Sequence, residues 1–120
     1  MGDMRLGVIE AKFADIIWSK EPITTSELVK VCERELSWKR TTTYTVLKRL
    51  SERGIFQNVD GVVSSLVSKK EFYSLQSQQF VDETFDGSLP AFLAAFTERK
   101  SLSKEEIRRI REMIDAYEGE

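Results

Sequence analysis

The chain has 120 residues, of which 41% are hydrophobic and 32% are charged, and its formal net charge is −2. This length fits one domain, or a small domain with an arm, and the hydrophobic share excludes wholesale disorder. Histidine is absent and cysteine occurs once, at Cys32. These counts exclude His-containing triads, His-ligated metal centres, internal disulfides and all-cysteine zinc sites. We therefore expect no enzymatic activity, no metal site and no cofactor.

Neither a membrane span nor a secretory signal is predicted. No apolar run approaches the roughly 18–20 residues that a membrane-spanning helix needs. The N-terminal segment, Met1-Gly2-Asp3-Met4-Arg5, contains no apolar region of the kind found in signal peptides. We therefore expect a cytoplasmic protein, in a reducing compartment, without an inserted membrane segment.

Charge is distributed unevenly along the chain. Residues 1–70 contain 12 basic and 9 acidic residues, a net charge of +3, whereas residues 71–120 contain 6 and 11, a net charge of −5. Residues 38–54 contain five basic residues and one acid, Glu52. A local basic stripe matters more for phosphate binding than the total charge does. The alternative interpretation of this stripe is a solvated helix face.

Three helices are predicted in the first half of the chain. They occupy residues 8–19, 25–36 and 39–53, and the second follows a capping sequence in which Thr24 is the N-cap and Glu27 is at N3. Their apolar periodicity predicts a core that consists of Ile9, Phe13, Ile16, Ile17, Leu28, Val31, Cys32, Leu36, Val46, Leu47 and Leu50.

A β-hairpin is predicted immediately after the third helix. Residues 55–59 and 62–67 are typical of strands, and the dipeptide Asp60-Gly61 between them is typical of a two-residue hairpin turn. The order of three helices and a hairpin is that of a winged helix-turn-helix domain. We assign this domain to residues 1–68.

Three consecutive threonines, Thr41, Thr42 and Thr43, lie near the start of the third helix. Because β-branched residues are poor helix formers, their position needs a reason. One possible reason is structural, since threonines cap and pack helix starts, and we expect Thr42 or Thr43 to point inward. The other is functional, since outward threonines can contact DNA bases.

Residues 69–120 are predicted to form a helical arm with helices at residues 69–85, 89–97 and 104–117. Three short helices bury their apolar faces poorly, whereas a second copy of the arm covers them well, which favours a two-fold dimer. The alternative is an arm that folds back on its own winged helix. The fold class is thus mainly α with a small hairpin wing and a C-terminal dimerisation arm. The predicted dimerisation residues are Phe72, Leu75, Phe80, Phe85, Phe92, Leu93, Phe96, Ile107, Ile110, Ile114 and Tyr117.

The sequence resembles the penicillinase-repressor family of bacterial transcription regulators along nearly its whole length. Residues 6–18 are similar to the opening pattern of that family. The run TTYTVLKRL at residues 42–50, followed by ERGI at residues 52–55, resembles its recognition helix and is the most specific part of the match. The run FLAAF at residues 92–96 is similar to its dimerisation arm.

The resemblance implies a homodimeric repressor that binds a dyad operator in double-stranded DNA. In the β-lactamase branch, a membrane sensor detects the antibiotic, and a protease step then cuts the repressor arm at an Asn-Phe bond. The matching bond here is Ala95-Phe96, so the asparagine is replaced. The copper branch senses metal through a C-terminal cysteine motif, which a chain with only Cys32 lacks.

Two smaller departures from the family pattern occur in the winged helix. Gly7 stands where the family has a threonine that caps the first helix. The wing segment, residues 61–65, lacks the basic and aromatic side chains that are common there. Weaker wing contacts are therefore expected.

The third helix is expected to enter the major groove with its N-terminal half at the base edges. Threonines suit base edges, basic side chains suit phosphates, and Tyr44 is expected to pack on a sugar or bond a phosphate. Arg49 has a second interpretation, a salt bridge to an acid of another helix. Exposed N–H groups at residues 24–26 add phosphate contacts. The predicted DNA-binding residues are Thr24, Ser26, Lys39, Arg40, Thr41, Thr42, Tyr44, Thr45, Lys48 and Arg49.

Other classes of function stay open at this point. A winged helix that binds proteins would lack basic residues on its recognition face, and this face has several. A regulator controlled by a small molecule would have a pocket among Phe80, Phe85, Phe92 and Phe96, although core packing explains the same aromatic residues. An enzyme has no support from a carboxylate pair, a glycine-rich phosphate loop or a Cys/His pair.

Overall fold

The structure, a computed structural model, describes residues 5–117. Residues 1–4 and 118–120 lie outside this range, and with them lies most of the N-terminal segment in which no signal peptide was predicted. Within the described range there are six helices and three short strands. No helix among the described residues is long and apolar enough to cross a membrane. The elements are α1 (Val8–Lys20), β1 (Ile23–Thr24), α2 (Thr25–Leu36), α3 (Arg40–Glu52), β2 (Phe56–Val59), β3 (Val62–Ser65), α4 (Lys69–Phe85), α5 (Leu89–Arg99) and α6 (Lys104–Ala116).

The predicted helices and hairpin are confirmed in order and type, and their ends differ from the predicted ones by at most two residues. β3 ends at Ser65, two residues before the predicted end, although the N–H of Leu66 still donates to the Ile55 carbonyl in the same register. Thr24 accepts a hydrogen bond from the Glu27 N–H at 3.2 Å, as its predicted role as N-cap requires. The fold class predicted from the sequence is therefore the observed one.

A third strand, which the sequence did not predict, widens the wing. β1 pairs antiparallel with β3, with Ile23 opposite Val63, and β2 pairs with the other side of β3. A strand of two residues has no periodicity to read, so only the long-range pairing reveals it. The predicted turn is present, and both Asp60 and Gly61 have positive φ, as a two-residue hairpin turn requires.

The core of the N-terminal unit lies between the first three helices and the sheet. It contains the predicted stripes of α2 and α3, and Phe13 and Ile17 of α1 are fully buried in it. Ile9, which was predicted to lie on the same stripe, is 47% exposed. The reason is that Leu6 and Glu10 are the partly buried residues at this end of α1, so the buried stripe begins at Phe13.

The chain divides into two compact units, residues 1–79 and 80–120, and α4 begins in the first and ends in the second. The predicted boundary was eleven residues earlier, between 68 and 69. α4 starts within the first unit because Lys69 forms an ion pair with Asp15 of α1 at 2.9 Å.

Phe72 of α4 is a core residue of the N-terminal unit. It is fully buried, its ring lies 5.6 Å from that of Trp18, and the half-buried Leu75 packs against the same core. A side chain that exposes no surface in its own unit has none to offer a second copy. The structure thus places Phe72 in the core of the N-terminal unit and not on a surface open to a second copy, and the same packing makes Leu75 a supporting residue of this core.

The second unit has no buried residue among those that the structure describes, and its large apolar side chains stay partly or largely exposed. Phe80, Phe85, Phe92 and Phe96 form a connected group with ring centroids 5.7–6.1 Å apart. α6 begins with a complete capping box, in which Ser103 and Glu106 bond each other's backbone N–H groups. Local bonds thus define the helices of this unit, while its apolar surface is left without cover.

Candidate nucleic-acid interface

α3 has one face in the core and one face in solvent. Thr43 is the inward threonine: it is 1% exposed, and its hydroxyl donates to the Lys39 carbonyl at 3.3 Å. Because this bond stays within the helix, the side chain is buried with its polar group satisfied. Val46, Leu47 and Leu50 complete the inward face. The outward face presents Arg40, Thr41, Thr42, Thr45, Lys48 and Arg49.

The exposed Thr45 bonds its own helix. Its hydroxyl donates to the Thr41 carbonyl at 2.8 Å, so the proton is already used. The methyl group and the oxygen lone pairs remain available to a partner. Such a side chain suits a thymine methyl or a base amino group better than it suits a base acceptor.

The N-terminus of α3 carries positive charge. Its N-cap residue is Lys39, no side chain caps the first turn, and that turn contains no acidic residue. The helix dipole adds a partial positive charge at the same end. Together with Arg40, this end of α3 is electrostatically suited to a phosphate.

The start of α2 offers fewer N–H groups than the sequence suggested. Thr24 takes up the N–H of Glu27, and the N–H of Thr25 donates to the Gly61 carbonyl of the wing turn at 2.9 Å. Of the predicted phosphate donors at residues 24–26, the N–H of Thr25 is therefore engaged, while the structure assigns no such bond to the N–H of Ser26. The contact with Gly61 also ties the wing turn to the first turn of α2.

Arg49 forms the salt bridge that was its second interpretation. Its Nη1 atom lies 3.1 Å from Oε2 of Glu10 in α1, and the arginine side chain is 54% exposed. The Gly7 N–H donates to the other carboxylate oxygen of Glu10 at 3.1 Å, which is the half of a capping box that needs no side chain at the N-cap. The Gly7 hydrogen bond, and then Arg49 and Arg53, hold the pKa of Glu10 below its ordinary value. Arg49 thus links α3 to α1, and its phosphate contact stays a prediction.

Acid should weaken this link between α1 and α3. The pKa of Glu10 is lower in the folded protein than in the unfolded chain, so the ionised carboxylate stabilises the fold. This stabilisation is fully present above the ordinary glutamate pKa, ~4.3, and is lost as the pH falls through the lowered pKa of the folded protein. An exposed pair of this kind contributes about 0.2–1 kcal/mol. We expect Glu10→Gln to lower the free energy of unfolding in urea by that amount at pH 7 and by much less at pH 3. Glu33→Gln, at an exposed position of α2, is the control, and an equal loss from Glu10→Gln at both pH values would contradict the assignment.

Arg40 and Tyr44 form a pair that sequence reasoning did not connect. The guanidinium carbon of Arg40 lies 5.5 Å from the centre of the Tyr44 ring, within the range of a cation–π interaction. Tyr44 is half-buried and Arg40 is exposed. The spacing i, i+4 places the two side chains side by side on a helix and was the available signal.

The wing is held by a carboxylate that the sequence did not single out. Glu21, which follows α1, accepts hydrogen bonds from the Ser65 N–H and hydroxyl, both at 2.8 Å. At the turn, Val59 and Val62 lie opposite each other and are both exposed. The wing thus presents apolar side chains near its tip, in keeping with the weaker phosphate contacts expected of it.

Cys32 is a structural residue, as its place on the α2 stripe predicted. It is fully buried, and burial raises the pKa of its thiol to about 11, although a hydrogen bond with Thr43 opposes this shift. A thiol with so high a pKa stays protonated at neutral pH and is a weak nucleophile. Within the described residues, no group of three or more His, Cys, Asp or Glu side chains could hold a metal ion.

Comparison with known proteins finds similar sequences along nearly the whole chain. The family profile described as penicillinase repressor matches residues 6–116. The penicillinase repressor of Bacillus licheniformis is 24% identical over 114 residues, which cover 92% of this chain and 89% of that protein. The methicillin resistance regulatory protein MecI of Staphylococcus aureus is 24% identical over 110 residues, or 88% of this chain and 89% of its own. Because the profile spans both structural units, the chain belongs to the penicillinase repressor family, a family of transcriptional repressors.

Proposed function

We propose that this repressor binds a dyad operator in double-stranded DNA as a homodimer, with α3 in the major groove. The observation that carries the proposal is the division of α3 into a core face and an outward face of threonines and basic residues. An α-helix fits the major groove, and the N-terminal half of a recognition helix contacts base edges. Family membership and the names of the relatives support a role in repression.

The contacts divide by their chemistry. Thr41, Thr42 and Thr45 face the bases, while Lys39 and Lys48 bind phosphates and set the register of the helix on the duplex. The N–H of Ser26 adds a phosphate contact at the start of α2. This helix start has no side-chain cap and no acidic residue, so it concentrates positive charge. Such a site favours an anionic partner over bulk solvent or a protein surface.

The second unit is the dimerisation arm in this proposal. Its large apolar side chains are exposed, and α6 presents Ile114 and Tyr117 at the end of its apolar stripe. A second copy of the arm has the same surface and covers it by two-fold symmetry. Joining two weak half-site contacts raises the affinity for an operator whose half-sites lie about 10 bp, or a multiple of it, apart.

Proteolysis of the arm is the release step that we propose. The Ala95-Phe96 bond lies inside α5, Ala95 is exposed, and Phe96 is 43% exposed. A cut there separates α6 from α3 without altering the DNA-binding face, so the repressor loses its avidity for two half-sites. The partner would be a membrane sensor with its protease, which answers a cell-wall antibiotic. Because this peptide bond lies within a helix, α5 must unwind locally before a protease can cleave it.

The alternative of a small-molecule pocket in the arm has less support. The four phenylalanine rings contact each other at 5.7–6.1 Å in edge or tilted geometries. Aromatic packing of this kind fills space and is favourable by itself. The geometry therefore favours a packed aromatic cluster over a ligand cavity.

Replacing Thr45 and Lys48 together by alanine should abolish specific binding to the protein's operator. The variant loses a base contact and a phosphate contact, and the slope of log K against log salt should fall by roughly 0.9 for each protomer because one phosphate contact is lost. Titration of a labelled duplex that covers the upstream region of the gene, at two salt concentrations, measures both effects. Lys70→Ala, which removes one charge at the exposed start of α4, is the control. Equal binding by the double variant and wild type would contradict the placement of α3.

A further inference from the structure

The first residue of α3 belongs to the N-terminal part of the helix, which contacts base edges in a recognition helix. Arg40 begins the helix, is exposed, and pairs with no carboxylate among the residues that the structure describes. Arg49 at the other end of the outward face differs, since Glu10 engages it. Of the two arginines on this face, Arg40 is thus the one available for DNA.

Arg40 is also the side chain whose chemistry is the most specific at this end of α3. The other exposed groups there, on Thr41, Thr42 and Thr45, are hydroxyls and methyls that suit several bases. A guanidinium matches one base edge, because it donates two parallel hydrogen bonds to O6 and N7 of guanine. Lys39, one residue earlier, and Lys48, further along α3, already supply cations for phosphates.

The tyrosine ring gives the guanidinium a defined place. Arg40 lies over Tyr44 at 5.5 Å, and the tyrosine ring is half-buried. A long arginine side chain loses conformational entropy when it binds, and a cation–π contact formed beforehand reduces that loss. Among the described residues the structure assigns no hydrogen bond to the guanidinium of Arg40, so its N–H groups remain available to donate.

On these grounds, and resting on the operator binding proposed above, we propose that Arg40 reads a guanine in each half-site and that Tyr44 is its positioning residue. The pair thus sets part of the operator sequence. The threonines then read neighbouring positions, and the lysines hold the duplex. A phosphate contact by Arg40, the role expected from the sequence, is the competing assignment.

Selection of operators from random-sequence DNA, followed by measurement of affinity, tests the proposal. Wild-type protein should enrich a dyad with a guanine at one fixed position of each half-site. A bidentate pair favours its base by about 5- to 150-fold, and Arg40→Lys keeps the charge but loses the rigid planar fork, so it should reduce the preference for that guanine. Replacing the guanine by 7-deazaguanine removes N7 and should weaken wild type more than it weakens Arg40→Lys.

The tyrosine variants separate positioning from simple contact. Tyr44→Phe keeps the ring and should keep the guanine preference, whereas Tyr44→Ala should reduce it in the same direction as Arg40→Lys. Lys39→Ala is the matched control at the neighbouring position, and it should weaken all sequences equally while lowering the salt slope. Circular dichroism confirms that each variant is folded.

The outcomes separate this proposal from the wider one. If wild type enriches no dyad, operator binding itself fails. If wild type enriches a dyad that lacks guanine, or 7-deazaguanine leaves the affinity of wild type unchanged, the guanine assignment is overturned while operator binding stands. If Tyr44→Ala discriminates as wild type does, the positioning role of Tyr44 is wrong.

Discussion

Ile114→Asp should weaken operator binding by about 10²- to 10⁴-fold, because binding at one half-site would no longer hold the protein at the other. Ile114 is 63% exposed on α6, so the change leaves no cavity within its own chain. In a dimer, the same position would bury an unpaired carboxylate, which is strongly unfavourable. Titration of the full operator and of a single half-site, together with sedimentation equilibrium without DNA, measures the effect.

The half-site is the internal standard of this experiment. Ile114→Asp should bind it as wild type does, because α3 is unchanged. Ala116→Asp adds the same charge to the opposite side of α6, at an exposed position, and should leave the dimer intact. Dimerisation through the arm would be contradicted if Ile114→Asp bound the full operator as tightly as wild type does. It would also be contradicted if the wild-type protein were a monomer that binds the full operator tightly.

Phe72→Ala should lower the free energy of unfolding of the N-terminal unit by about 3–5 kcal/mol, the usual cost of removing a buried phenylalanine. Its ring is fully buried beside those of Trp18 and Tyr73, so the variant leaves a cavity that the neighbours fill only partly. Urea unfolding followed by tryptophan fluorescence reports on this place, since the Trp18 ring is 5.6 Å away.

Phe80→Ala is the matched control for this prediction, because it removes the same side chain from the same helix. Phe80 is 49% exposed, and its own ring neighbours are Phe85 and Phe92 of the second unit. We expect Phe80→Ala to weaken dimerisation and to leave the urea midpoint of the tryptophan fluorescence, which Trp18 and Trp38 of the N-terminal unit supply, nearly unchanged. A dimerisation defect with wild-type stability in Phe72→Ala would restore the role that the sequence had suggested for Phe72.

These two experiments locate the change of role within α4. Residues 72 and 75 belong to the core of the winged helix, while residue 80 and those after it belong to the arm. One continuous helix thus carries a change of structural unit between Gln79 and Phe80. An apolar stripe has the same appearance on both sides of that change, which is why the sequence placed all of it in the arm.

Local patterns were sufficient for the helices and the hairpin of this protein, but not for the two-residue strand β1. The capping residues Thr24 and Ser103, the Asp60-Gly61 turn and the helical periodicity each act within a few residues. The interactions that define them are short in range, so they can be read from neighbouring letters. The inward threonine was limited to two candidates, and the structure decided for Thr43 because that position faces Cys32 and the core.

The tertiary structure decided which side chains meet across the chain. Sequence spacing allowed Arg49 either a phosphate or an acid, and the packing of α1 against α3 brought Glu10 within 3.1 Å of it. Packing also placed Phe72 in the core, and it joined Glu21 to Ser65, 44 residues further along. The sequence by itself determined the helices, the hairpin and the family, because those depend on local patterns. The partners of individual side chains depend on how the elements pack, and so only the fold determines them.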